Sequence, residues 1–178
     1  MQLILTPHPA TPPSDPDLKV WANVEHAGSL AAVATTSIWF GVGAAMSRFA
    51  VPEPIADAAR ADGLWQTTCF EAFLRPAGGE AYREWNFSPS GQWAAYDFTA
   101  RREGMVEGQA AEPYIRVEDN LTWWGLGAAI AVPANADLEL GLSAVLEESD
   151  GRKSYWALGH GGEKPDFHDP GCFTARLA

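Results

Sequence analysis

At 178 residues the chain has the length of one ordinary domain, and 47% hydrophobic with 20% charged residues is the composition of a globular protein, not a disordered one. A formal net charge of −11 excludes nucleic acid and anionic membrane surfaces as natural partners, since both would repel the chain on approach. A neutral ligand meets no such barrier, and eight tryptophans offer flat apolar surface to a core or to a ring-shaped ligand.

The chain opens with a short apolar run, Leu3-Ile4-Leu5, and then a cluster of prolines up to Pro16. It lacks the basic start and the longer apolar stretch of a signal peptide, and no segment reaches the roughly 20 apolar residues of a bilayer span. The protein therefore reads as cytoplasmic. Over residues 18–25 the apolar side chains Leu18, Val20, Ala22 and Val24 fall on every second position, one face of a strand. A second strand is expected at 30–42. Residues 55–61, rich in alanine and following Pro52 and Pro54, are the one place for a short helix or turn. Strands follow at 65–74, 82–87, 92–98, 114–118 and 121–132. Clear alternation returns at Leu138, Leu140, Leu142, Ala144 and Leu146, with Glu139, Ser143 and Glu147 opposite. The last strands fall at 154–158 and 172–177. Turn residues at 76–79, 88–91, 118–120 and 149–151 separate them. Residues 159–171 carry too much Gly and Pro for a strand and should form a long ordered loop. The expected fold is all-β: an antiparallel two-sheet β-sandwich with at most one short helix, a single domain over 1–178.

Catalytic motifs are missing. The chain has no Gly-x-Ser-x-Gly elbow, no phosphate-cradling glycine loop and no His-Glu-x-x-His, so no enzyme activity and no cofactor are expected. His160, Asp166, His168 and Asp169 are of the types that bind zinc or manganese, and equally of the types that cap turns beside Pro165 and Pro170. A haem would have to find its axial ligands among Met46, Met105, His160 and His168. Cys69 and Cys172 match no zinc spacing and are too few for a disulfide framework; they read as two half-buried thiols, with a bridge as the alternative.

The centre of the chain is more informative. Residues 65–74 and 82–87 form the arms of a hairpin, in which Phe70, Ala72 and Leu74 share one face and Cys69, Glu71 and Phe73 the other. In the second arm Trp85 and Phe87 lie together, with Glu84 and Asn86 opposite. Glu71 thus stands among apolar neighbours, where a carboxylate must be paired, with Arg83 or Arg101 as candidates, or await a hydroxyl-rich ligand.

The run from Trp65 through Glu71 to Asn86-Phe87-Ser88-Pro89-Ser90-Gly91, closed by Phe167-His168-Asp169-Pro170-Gly171-Cys172-Phe173, resembles the DOMON-like domains. Within that superfamily it is most similar to the family-nine carbohydrate-binding modules. These carry a Trp six residues before a Glu, a polar-x-Asn pair in the next strand and an aromatic-x-Asp-Pro-x-x-Phe run before the last. The resemblance implies a β-sandwich that binds a sugar between two aromatic rings. Trp65 and Phe167 would be the walls, and Glu71, Glu84 and Asn86 the polar partners. Phe167 stands where the family usually has Trp, Glu84 where it can have Arg, and Gln66-Thr67-Thr68 replaces an acidic run, which weakens a calcium inference. The superfamily also implies haem or metal binding as the alternative, and a protein-interaction domain without a small ligand is the third reading. Ligand identity and oligomeric state are not legible.

Overall fold

A computed structural model of the chain describes residues 1–27, 32–134 and 136–177. Its strands are β1 (Gln2–Pro7), β2 (Val20–Ala27), β3 (Val33–Val42), β4 (Cys69–Pro76), β5 (Tyr82–Phe87), β6 (Trp93–Phe98), β7 (Val106–Glu107), β8 (Tyr114–Asp119), β9 (Trp124–Pro133), β10 (Leu138–Glu147), β11 (Lys153–Ala157) and β12 (Ala175–Leu177). Every pairing between strands is antiparallel, in the order β7-β6-β5-β4-β10-β11-β1-β2-β3-β9-β8, with β12 on the free part of β10. The expected strand at 30–42 begins at Val33; Leu30 and Ala31 lie outside the described residues.

Two separate sheets were the expectation, and here the structure corrects it. The twelve strands form one continuous sheet that curls over on itself. The cause is β1. Its residues Gln2 to Leu5 pair with β2, and Thr6 and Pro7 pair with β11, so one strand runs from one layer into the other. Sequence pattern assigns no strand to Leu3-Ile4-Leu5, because three consecutive apolar residues show no alternation. The layers still pack as a sandwich does. Phe40 of β3 meets Phe70 of β4 with ring centroids 5.0 Å apart, and Phe70 meets Trp124 of β9 at 5.5 Å.

Among the described residues there is no α-helix, only single 3₁₀ turns at Met46–Arg48, Leu64–Gln66 and Pro170–Cys172. The segment 55–61 is irregular, with a turn at Ala56 and Asp57. Its backbone is tied outward instead, Ile55 N–H to the Ser90 carbonyl and Ala61 N–H to that of Trp93, each at 2.9 Å. Cys69 and Cys172 are both free thiols and both buried.

Phe70 is fully buried between the two layers. Phe70→Ala should therefore cost about 3–5 kcal/mol, read as a lower denaturation midpoint with an unchanged dependence on denaturant. A loss under about 1 kcal/mol would mean that the layers do not meet there.

Candidate functional site

Strand β4 is buried on both faces. Phe70, Ala72 and Leu74 enter the core between the layers, and Cys69, Glu71 and Phe73 turn the other way, as the alternation predicts. On β5, Trp85 and Phe87 join the same core while Glu84 and Asn86 point opposite. Register then assembles polar rows across the strands. Ser143, Glu71 and Asn86 stand side by side on β10, β4 and β5; Phe73, Glu84 and Tyr96 form the next row on β4, β5 and β6.

This outer face carries its own apolar cluster, which includes Phe73, Tyr82, Tyr96, Phe98, Phe167 and Phe173. The loop 159–171 supplies part of its cover and is held by arginines from the turn after β6. Arg101 reaches Asp166 at 2.6 Å and Asp169 at 2.8 Å, and Arg102 reaches Asp166 at 2.8 Å. Burial pushes the Asp166 carboxyl up, but the two guanidiniums outweigh it and hold the group below its ordinary value. Asp169 also caps the last 3₁₀ turn, accepting from the Gly171 N–H at 2.8 Å. Gly161 passes so close that a Cβ there would lie 1.8 Å from Asp169 Oδ1, which is why the loop needs a residue without a side chain.

The same contacts engage the histidines and aspartates of this loop. Asp166 and Asp169 are taken by arginine, His160 Nε2 lies 2.8 Å from the Thr6 carbonyl, and His168 Nδ1 lies 2.6 Å from the Tyr82 hydroxyl. Among the described residues no group of three or more His, Cys, Asp or Glu side chains is placed to hold a metal ion. Of the haem candidates, Met46 packs against the inter-layer core, while Met105 and His168 share a cleft.

That cleft has a volume of about 330 Å³. Trp65, Tyr96, Phe98, Tyr155 and Phe167 line it, with Glu71 and Glu84, and Arg102 and His168 complete the polar set. Four of the five residues singled out in the sequence are therefore brought together. Asn86 is set back: it is fully buried, does not line the cleft, and donates its Nδ2–H to Glu84 Oε1 at 2.6 Å. The two aromatic walls are unequal. Trp65 follows the buried Leu64 on a 3₁₀ turn, is 40% exposed and meets Tyr96 edge-on at 6.1 Å. Phe167 is 8% exposed and packs against Tyr155. Tyr96 and Phe98 escaped the sequence reading, although carrying the alternation from β5 into β6 would have put Tyr96 beside Glu84. Arg102 gives no sequence signal, since it enters through a turn in which its own φ is +57°.

Neither arginine proposed as a partner reaches Glu71. Arg83 is bound to Asp97 at 2.6 and 2.7 Å, and Arg101 to the loop aspartates. Glu71 Oε2 instead accepts from the Ser143 hydroxyl at 2.7 Å. Burial, and then the charge of Glu84, push its carboxyl up to about 8. Burial raises Glu84 too, against the Asn86 hydrogen bond. His168 is pressed among Phe73, Tyr82 and Phe98. Burial and then the Arg102 charge bring it down to about 4, so it is neutral at pH 7. Tyr82 Oη accepts the Arg102 backbone N–H at 3.2 Å and shares a hydrogen bond with His168 Nδ1 at 2.6 Å. The other ring nitrogen, Nε2, lies 3.7 Å from Glu84 Oε2.

Native Glu71 keeps a proton up to about pH 8 that the unfolded chain, with a carboxyl near 4.5, has already released. Stability should therefore fall as pH rises toward 8. His168 acts oppositely in acid: between about 6.5 and 4 the unfolded imidazole is protonated and the native one is not, so stability falls as pH drops there. Between these limits, from about pH 6.5 to 8, the glutamates act without His168. Glu71→Gln should flatten that segment, its stability rising relative to the wild type as pH increases. Denaturant titrations across the window measure it, and a variant with the wild-type slope would count against the assignment.

No protein-family model and no curated protein matches the chain. Two solved structures are similar to it. One is a candidate carbohydrate-binding protein from Bacteroides uniformis, with 16% identity and a TM-score of 0.58 over 97% of this chain and 84% of that one. The other is a family-nine carbohydrate-binding module from Caldicellulosiruptor kristjanssonii in complex with glucose, with 11% identity and a TM-score of 0.44 over 82% and 69%. The first likeness shows a shared all-β fold.

Proposed function

We propose that the chain is a non-catalytic, DOMON-like binding domain that takes a small saccharide in the cleft between Trp65 and Phe167. The observation that carries this reading is the cleft's chemistry: aromatic walls beside two buried carboxylates with no arginine or lysine ion pair among the described residues. The C–H faces of a pyranose suit aromatic rings, and each stacking contact contributes about 0.5–1.5 kcal/mol. Its hydroxyls need both donors and acceptors. Glu84 Oε2 accepts, the Glu71 carboxyl, protonated at neutral pH, donates, and the neutral His168 ring adds a further polar edge. Asn86 contributes one step back, by holding Glu84 in place. The volume of about 330 Å³ falls at the lower end of the roughly 300–1,000 Å³ of ligand pockets, which favours a ligand of one or two rings. The fold shared with a candidate carbohydrate-binding protein supports the same class of ligand. The absence of a nucleophile–base pair at motif spacing in the sequence supports a binding role without catalysis.

Because Trp65 is exposed, Trp65→Ala should lower the melting temperature by less than about 3 °C. It should weaken binding of a glycan up to about tenfold, equivalent to ~1.4 kcal/mol. Phe167→Ala, at a buried position, should cost about 3–5 kcal/mol of stability. Titration calorimetry over a panel of mono- and disaccharides, with melts of each variant, makes the test. A wild-type protein indifferent to every sugar would end the proposal.

A further inference from the structure

A neutral sugar leaves the charge of this cleft unanswered. Glu71 is 3% exposed and Glu84 5%. Each commits one oxygen internally, Glu71 Oε2 to the Ser143 hydroxyl and Glu84 Oε1 to the Asn86 amide. The second oxygens, Glu71 Oε1 and Glu84 Oε2, accept no hydrogen bond among the described residues. They are not sealed in either: the sealed, unpartnered side-chain polar atoms belong to Thr11, Trp85, Trp93, Trp124 and His160. Both free oxygens therefore open onto the cleft that the two residues line. His168 Nε2 stands 3.7 Å from Glu84 Oε2, outside hydrogen-bond range. Arg102, the one basic side chain of the lining besides His168, is held in a fork on Asp166 Oδ1, with Nε at 3.1 Å and Nη2 at 2.8 Å.

A buried carboxylate with no cationic partner is expensive, and a ligand that brings the cation removes the expense on binding. The aromatic lining adds attraction of the same sign, because ring faces are negative and favour an ammonium group. The net charge of −11 favours the approach of a cation and opposes that of an acid. We infer that the cleft selects a ligand bearing a protonated amine, and that its class is an amino sugar with a free ammonium group, in preference to a neutral, N-acylated or acidic sugar. The ammonium would donate to Glu84 Oε2 and to Glu71 Oε1, its charge drawing the Glu71 proton off into solution as it binds, while the ring stacks on Trp65. This inference rests on the reading of the cleft as a saccharide site.

Titration calorimetry with glucose, glucosamine, N-acetylglucosamine, glucuronate and methylammonium chloride, all at pH 6.5, tests the charge separately from the ring. Glucosamine should bind about tenfold more tightly than glucose, and N-acetylglucosamine and glucuronate more weakly than glucosamine. Glu84→Gln and Glu71→Gln should each cut the glucosamine-to-glucose preference at least threefold, measured as a ratio within each folded variant. Should a variant fail to fold, the preference of the wild type across the panel decides alone. Glucose bound as tightly as glucosamine overturns the amine inference and leaves the saccharide reading standing. Glucosamine and methylammonium bound equally, with no neutral sugar bound, overturns the saccharide reading and leaves the requirement for an amine. A protein that binds none of the five overturns both.

Discussion

The double burial of β4 is the constraint from which the rest of the molecule follows. A strand in a two-layer β fold ordinarily turns one face to the core and one to water. Here Phe70 and Ala72 face the opposite layer, yet Cys69, Glu71 and Phe73 on the reverse side are buried as well. The reverse side therefore needs a cover. Among the described residues no further strand provides it, and loops do so: the 3₁₀ turn bearing Trp65, the turn bearing Arg101 and Arg102, and the segment 159–171. Loops that meet over a flat sheet leave space between them. The cleft is what remains uncovered.

Charge as well as apolar packing holds that cover in place. Asp166 receives both arginines, and Asp169 receives one of them while capping its own turn. Arg101 is about half exposed, so each pair alone contributes little, but a shared carboxylate ties two segments into one network. The tie also keeps Arg102 out of a contact ion pair with the glutamates, although its charge still pulls both carboxyls down a little. Electrostatic order in the loop and electrostatic hunger in the cleft thus have one origin.

Most of the fold was legible from the chain, because alternation survives wherever one face is more apolar than the other. Leu138 to Leu146 and the two arms of the central hairpin announced their faces correctly. What escaped was set by context. β1 is a strand because β2 and β11 offer it edges, and nothing inside Leu3-Ile4-Leu5 says so. The single sheet escaped for the same reason, since one strand shared between two layers has no local signature. At the cleft, Glu71 and Glu84 could be read from strand alternation, and Trp65 and Phe167 from the resemblance to a known pattern. Asn86 could be placed on the right face, but its depth could not be read from alternation. Tyr155, Arg102 and the neutral state of His168 depend on the register of distant strands and on a turn with positive φ.

A structural role for the two glutamates would be hard to justify energetically. Glutamine at either position would keep one hydrogen bond to Ser143 or Asn86 without the cost of burying or protonating an acid, and leucine at Glu71 would extend the apolar cluster around Phe73. The chain instead keeps two acids close enough that Glu84 raises the carboxyl of Glu71, an arrangement that lowers stability at neutral pH. Stability given up at a cavity lined by aromatic rings is the usual mark of a group whose partner arrives from solution. The position of Asn86 agrees with this. Its amide fixes one Glu84 oxygen from within the sheet and leaves the other toward the cleft, while its own oxygen takes the Cys69 thiol.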